Sequence, residues 1–165
     1  MKHASRIYLD TNIFIYAFEE TSRRSNLLKQ IFATSDKETP FLVTSELSLA
    51  ELLVHPYEAA DDKSIDAYDG FIRNSHWLEV CQVTRQTHIY AAVMRSQYRT
   101  IRLPDALHLS TAIGAQCSHF LTSDKGLGPS YQLSHLRYGI VRHAPPLEVI
   151  RPDEATLELI LESLK

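Results

Sequence analysis

This chain is poor in the residues that mark specialised classes of protein. Its 165 residues include two cysteines, Cys81 and Cys117, in unrelated contexts and with no CxxC pair. That spacing excludes a disulfide framework and fits reduced thiols in a cytosolic setting. His55, His76, His88, His135 and His143 lack the spacing of a zinc motif such as HExxH. No apolar run is long enough to span a bilayer, so a soluble, cytoplasmic protein without membrane contact is expected. There is no internal repeat, low-complexity tract or clear linker. Charge of one sign is also lacking: 17 Lys and Arg face 20 Asp and Glu, a formal net charge of −3. With a pI near 6.2 there is no broad basic field for nucleic acid, which still leaves room for a local basic rim. What remains is an ordinary globular balance, 44% hydrophobic and 22% charged, enough for one good core and a single domain over 1–165.

Hydrophobic periodicity then divides the chain. RIYL at 6–9 reads as a short buried strand, and 12–19 runs helical. Leu27, Leu28, Ile31 and Phe32 give 22–35 a helical stripe that Pro40 would end. FLVTS at 41–45 is a second strand, followed by a helix over 45–53 that His55-Pro56 would stop. A polar helix is expected over 58–74 and an alternating strand over 77–84. Helices follow at 84–100 and 103–116, the second with Pro104 near its start. HFLTSD at 119–124 reads as a strand ending in an acid, and 125–130 as a turn-rich loop. A last strand at 147–152 precedes a helix over 153–164, while 130–145 yields no clear pattern. Strands alternating with helices predict an α/β fold with a mostly parallel central sheet flanked by α-helices.

In open parallel sheets, sites form beyond the carboxyl ends of strands. Four acids stand in mostly apolar surroundings, three of them close to strand or helix ends: Asp10 and Asp124 follow strands, Asp105 opens a helix, and Glu51 lies inside the helix after FLVTS. Each has a structural explanation. Asp10 is placed to cap a helix, and Ser48-Leu-Ala-Glu51 matches a capping box. Asp105 suits a helix first turn, and Asp124 in SDKG suits a turn. For Glu51 that explanation is weakest, because a helix starting at Ser45 places it well inside, where a cap has no purpose.

Taken in order, IYLDTNIFIY, SLAELLVHP, LPDALHLSTA and FLTSD resemble the motifs of PIN domains, the metal-dependent ribonucleases that include the VapC-like toxins of toxin–antitoxin modules. The resemblance covers nearly the whole chain. It implies a PIN-like fold and a catalytic set of Asp10, Glu51, Asp105 and Asp124, with Asp10, Asp105 and Asp124 on the metal. Thr11, Asn12 and Thr122 match the small polar positions that support such a site. Many members carry a further acid just after the one matched by Asp124; here Lys125, Gly126 and Leu127 follow, so the number of metals stays open. The resemblance also implies an RNA substrate, a homodimer and a cognate antitoxin.

Charge repulsion supports a cation site. Two carboxylates about 4 Å apart repel by roughly 4 kcal/mol at an effective dielectric near 20. Four converging acids therefore need a cation or must partly protonate. Hard oxygen ligands favour Mg2+ or Mn2+, and such a site suits phosphodiester hydrolysis. Asp10 and Asp124 are the most direct ligands expected, with Asp105 sharing the metal or acting through water and Glu51 orienting the attacking water. His108, one turn after Asp105, reads first as a histidine packed beside the core and second as a contact of the site. Arg95 and Arg99, four apart on the expected helix, with Arg102 and Lys125, are candidates for RNA phosphates. No RNP-like aromatic motif is visible. The alternatives are a non-catalytic PIN-fold binding module and a PIN nuclease of RNA processing. A haloacid-dehalogenase-like phosphatase ranks low, because it requires a second aspartate where Asn12 stands.

Overall fold

The computed structural model describes residues 6–35 and 41–164. Pro40, expected to end a helix, lies outside the described residues. The elements run β1 (Ile7–Leu9), α1 (Thr11–Glu19), α2 (Arg23–Thr34), β2 (Leu42–Ser45), α3 (Glu46–Leu52), α4 (Val54–Glu58), α5 (Asp62–Phe71) and β3 (Leu78–Cys81). Then follow α6 (Arg85–Gln97), α7 (Leu103–Gly114), β4 (His119–Leu121), β5 (Ser130–Tyr131), β6 (Ser134–Arg137), β7 (Ile140–His143), β8 (Leu147–Ile150) and α8 (Glu154–Ser163). Six strands form one sheet in the order β3-β2-β1-β4-β8-β5, parallel except for β5, which runs antiparallel beside β8. The sheet is therefore the expected mostly parallel one.

Both faces of this sheet are covered, which is why β1, β2 and β4 are buried at every position. Alternation along β1 sorts its residues. Ile7 and Leu9 join Leu28, Ile31, Tyr68, Leu157 and Ile160 in a core with α1, α2, α5 and α8. Tyr8 joins Val43, Phe120, Met94 and Leu109 in a core with α6 and α7. There Tyr8 stacks on Phe120, with centroids 5.1 Å apart. Cys81 and Cys117 are free, and burial pushes their thiols up to about 11 and about 12.

Strand order decides where a site can form. From β1 the chain steps outward to β2 and β3, then returns to place β4 on the other side of β1. The crevice between β1 and β4 is the topological switch point, where ligands bind in such sheets. Asp10 follows β1 directly, and Asp124 follows β4 after Thr122 and Ser123.

Several sequence expectations are corrected. The helix expected over 45–53 does stop, as α3 at Leu52, but Pro56 itself lies in the first turn of a further helix, α4, where its missing N–H is not needed. The helix expected over 58–74 is instead the end of α4 and the separate α5. The helix expected to reach residue 100 ends at Gln97, so Arg95 and Arg99 do not share a helix face. β4 ends at Leu121, and Thr122–Asp124 have left the strand. The stretch 130–145, unread from sequence, holds β5 and a separate two-stranded hairpin of β6 and β7.

Candidate functional site

Asp10 is built from its own backbone upward. Its N–H extends the β1–β4 pairing by donating to the carbonyl of Leu121 at 3.1 Å. Its extended φ and ψ make it the N-cap of α1, and Oδ1 accepts from the Thr11 N–H at 2.8 Å. Oδ2 accepts from Asn12 Nδ2 at 2.6 Å and from the Thr122 hydroxyl at 2.5 Å. Asn12 also accepts from the Ser123 N–H at 3.0 Å, and Thr122 from the Asp124 N–H at 3.0 Å. The three small polar residues thus tie the end of β1 to the segment that carries Asp124. Asp10 is both a helix cap and a member of the acid cluster.

Glu51 lies in the last turn of α3, so the capping-box explanation fails. Ser48 instead meets the Thr44 hydroxyl at 2.8 Å. Glu51 Oε2 accepts from the Thr11 hydroxyl and lies 3.1 Å from His108 Nε2. Burial pushes its carboxyl up, but hydrogen bonds from His108 and Thr11, with the His108 charge behind them, outweigh burial and hold it below its ordinary value. His108 is 2% exposed, and its Nδ1 lies 2.8 Å from the Tyr8 hydroxyl, which donates to Ser45 Oγ at 2.8 Å. Its Nε2 is also 4.0 Å from Asp10 Oδ1. The preferred sequence reading, a packed and hydrogen-bonded histidine, is met. The same ring also links Glu51 to Asp10.

Asp105 stands in the first turn of α7 behind Pro104. Burial, then the nearby carboxylates of Asp124 and Asp10, raise its carboxyl; His108 and the Arg102 N–H act against them without cancelling them. Asp124 is exposed, and its Oδ1 accepts from the Gly126 N–H at 2.7 Å. A Cβ on Gly126 would stand 3.1 Å from that oxygen, closer than the turn tolerates without movement. The structure therefore brings together all four acids named from sequence. Asp10 and Glu51 share Thr11 and His108, while Asp10, Asp105 and Asp124 share one negative field.

The cations fare unevenly. Arg95 donates from Nε to the carbonyl of Ile101 at 3.3 Å, which ties it to the turn before α7. Arg102 caps α7 beside Asp105, and Lys125 sits in the exposed turn after Asp124. Among the described residues no hydrogen bond or ion pair brings Arg99 to the acids. A further residue was missed. The Arg151 guanidinium, just past β8, donates to the carbonyls of Thr122 (3.2 Å), Asp124 (2.6 Å) and Leu127 (2.7 Å). It pins the loop that presents Asp124. Its partners are backbone atoms 24 to 29 residues away, which no spacing in the sequence reveals.

Among the described residues no three His, Cys, Asp or Glu side chains are placed to enclose a metal ion. The donor set nevertheless fits a hard cation. Asp10 Oδ1 accepts one hydrogen bond and keeps lone-pair capacity free. Asp105 feels the negative charge of two neighbours, only partly offset by His108 and the Arg102 N–H, which a cation would neutralise.

No curated protein matches the chain. Solved structures do. A chain of DNA-bound VapBC from Salmonella typhimurium matches with TM-score 0.59 at 17% identity, over 90% of this chain and 98% of that one. VapBC2 from Rickettsia felis, bound to a promoter DNA fragment, matches with TM-score 0.56 at 21% identity, over 72% and 87%. Mycobacterium tuberculosis VapC20, a sarcin-ricin-loop-cleaving toxin, matches with TM-score 0.52 at 20% identity, over 69% and 86%. At such identities the likeness is one of fold. The family model of the PIN domain matches residues 7–128, from the start of β1 to the loop after Asp124, and the chain belongs to the PIN domain family.

Proposed function

We propose that the protein is a metal-dependent endoribonuclease, the toxin of a toxin–antitoxin pair. One observation carries this reading: Asp10, Asp105 and Asp124 come together at the switch point, where burial, with the carboxylates of Asp124 and Asp10 behind it, raises the Asp105 carboxyl. Asp10, Asp105 and Asp124 would hold a Mg2+ or Mn2+ ion, chosen by hard oxygen donors. Such an ion supplies Lewis acidity to a water and neutralises charge developing on the phosphoryl group. Glu51, held below its ordinary value by His108 and Thr11, is ionised at neutral pH and accepts a hydrogen bond from the attacking water. His108 fixes Glu51, while Thr11, Asn12, Thr122 and Arg151 fix the acids. Arg102 and Lys125 flank the acids and suit RNA phosphates.

The toxin part of the reading draws on structural neighbours described as toxin–antitoxin complexes, from Klebsiella pneumoniae among others. A cognate antitoxin, a homodimer and a cytoplasmic location belong to the same proposal. Among the described residues no helix is long and apolar enough to cross a membrane. The test is cleavage of a mixed-sequence RNA panel with Mg2+, with Mn2+ and with EDTA, beside Asp10→Asn. Metal-dependent cutting by the wild type alone is expected. A folded, partner-free wild type that cuts nothing with either metal overturns the nuclease reading.

A further inference from the structure

We propose that the cleft between the β6–β7 hairpin and helices α6 and α7 binds single-stranded RNA, holding phosphates with Arg137 and Arg142 and a base against Tyr138. The choice of RNA rests on the ribonuclease reading; the cleft itself rests on separate observations. The first is charge segregation. Residues 125–147 hold three of the 17 Lys and Arg and none of the 20 Asp and Glu. A chain of net charge −3 thus carries one acid-free, cationic arm.

The second is geometry. Arg137 pairs with Ile140 across a two-residue turn in which Tyr138 (φ 52°) and Gly139 (φ 74°) are both left-handed, the form that follows strand twist in a tight hairpin. Cross-strand partners share a face, so His135 with Arg142 and Arg137 with Ile140 occupy the same side. That side lines a cleft of about 510 Å3, closed by Tyr90 of α6 and by Ile113 and Gly114 of α7, and no acid lines it. The volume falls in the range of small-ligand sites, roughly 300–1,000 Å3, which suits a single strand and not a duplex.

The third is the state of the side chains. Arg6, Arg23, Arg24 and Arg73 each hold a carboxylate. Among the described residues Arg137 and Arg142 have no such partner, and the Arg137 guanidinium lies 5.1 Å from the centroid of the Tyr138 ring. Tyr138 is 88% exposed, an open π face of the kind that stacks on bases without regard to sequence. The cleft lies by the last turn of α7, whose first turn carries Asp105; at 1.5 Å per residue the two are roughly 13 Å apart along the helix. A strand held in the cleft is therefore anchored near the acids and outside them.

The experiment measures binding of a short, fluorescein-labelled single-stranded RNA of mixed sequence to the full chain by anisotropy. It is run in EDTA over a range of salt, with folding of each variant checked by circular dichroism. Arg137→Ala/Arg142→Ala is expected to weaken Kd about tenfold or more. It should also lower the salt slope by about 1.4, at roughly 0.7 per phosphate contact. Tyr138→Ala should weaken binding with the slope unchanged. Wild-type affinity and slope in a folded double variant overturn the proposal. So does a wild type that ignores RNA and binds anionic phosphatidylglycerol vesicles through the same arginines. Cleavage with Mg2+ is scored beside binding. Arginine-dependent binding without any cutting leaves the cleft and removes the nuclease reading; cutting with unaltered binding in the double variant does the reverse.

Discussion

At the scale of single residues, Asp10 does two jobs with one carboxylate. Oδ2 is held by Asn12 and Thr122, so Asp10→Asn sets an amide donor against existing donors if its nitrogen takes that place. The variant is expected to lose cleavage and about 1–3 kcal/mol of stability, read by a denaturant melt. Asp105 predicts the opposite stability effect. Its raised carboxyl keeps its proton to a higher pH in the fold than in the unfolded chain, so the fold binds more protons and stability falls as pH rises through the raised value. Asp105→Asn removes that fall. In EDTA at pH 7 it should raise the melting temperature, by about 2–4 °C for each kcal/mol of charge burial and repulsion relieved, while abolishing cleavage. A variant that melts below the wild type contradicts the argument from charge burial and repulsion. Asp10, Asp105 and Asp124 were legible because a charge in an apolar setting near a strand or helix end needs a reason. Glu51 was legible because its place inside a helix removed the capping explanation. His108 showed its spacing from Asp105, but its reach to Glu51 exists only once α3 and α7 meet over β1. Arg151 showed nothing, since its ligands are carbonyls.

At the scale of elements, the arginine after β8 decides how firmly the Asp124 loop stands. One planar guanidinium serves three carbonyls, a geometry that a lysine ammonium on a flexible stem does not reproduce. Arg151→Lys is expected to cost about 1–2 kcal/mol and to reduce cleavage, with faster hydrogen exchange at Gly126 and Leu127 as the local readout. Wild-type exchange there would show that the loop holds itself. The end of α7 offers a gain instead. Gln116 sits at φ 59°, with its N–H on the carbonyl of Ile113 and the Cys117 N–H on that of Ala112. That is a Schellman closure, whose left-handed position favours glycine. Gln116→Gly should stabilise by about 1 kcal/mol, seen as a higher denaturant midpoint with unchanged slope. Core-facing elements were legible because burial imposes a period. The hairpin was not: Leu136, Tyr138, Ile140 and Val141 are all exposed, so no buried stripe marks its strands, and Tyr-Gly is a weaker turn signal than Asn-Gly.

At the scale of the whole molecule, the family match ends at residue 128 while the structure continues past it. β8 pairs with β4 along its length, and α8 buries Leu157 and Ile160 against α2 and β1. Fully burying such a side chain is worth about 1.5–3 kcal/mol. Two of them, with the paired strand and Arg151, approach the 5–15 kcal/mol that holds an ordinary domain together. The hairpin differs. Its strands pair only with each other, with one bond from the Ser134 N–H to Gln97 Oε1 of α6 at 3.1 Å; its outer side chains are solvated, and the Ala144 N–H already closes its base on the carbonyl of Leu133 at 3.0 Å. Two deletions therefore separate what folds the chain from what it presents. Ending the chain at Pro145 should leave no cooperative thermal transition, because β4 gains an open edge and the α2 face loses its cover. Replacing 134–143 with a short glycine link should keep the melting temperature within a few degrees, since loop-closure cost changes slowly with length. It should also cut RNA affinity as the double arginine variant does. If excision of the hairpin collapses the fold, its apolar side chains belong to the core and not to a binding arm. If truncation at Pro145 melts like the full chain, β8 and α8 are an appendage, and the segment matched by the family model stands without them.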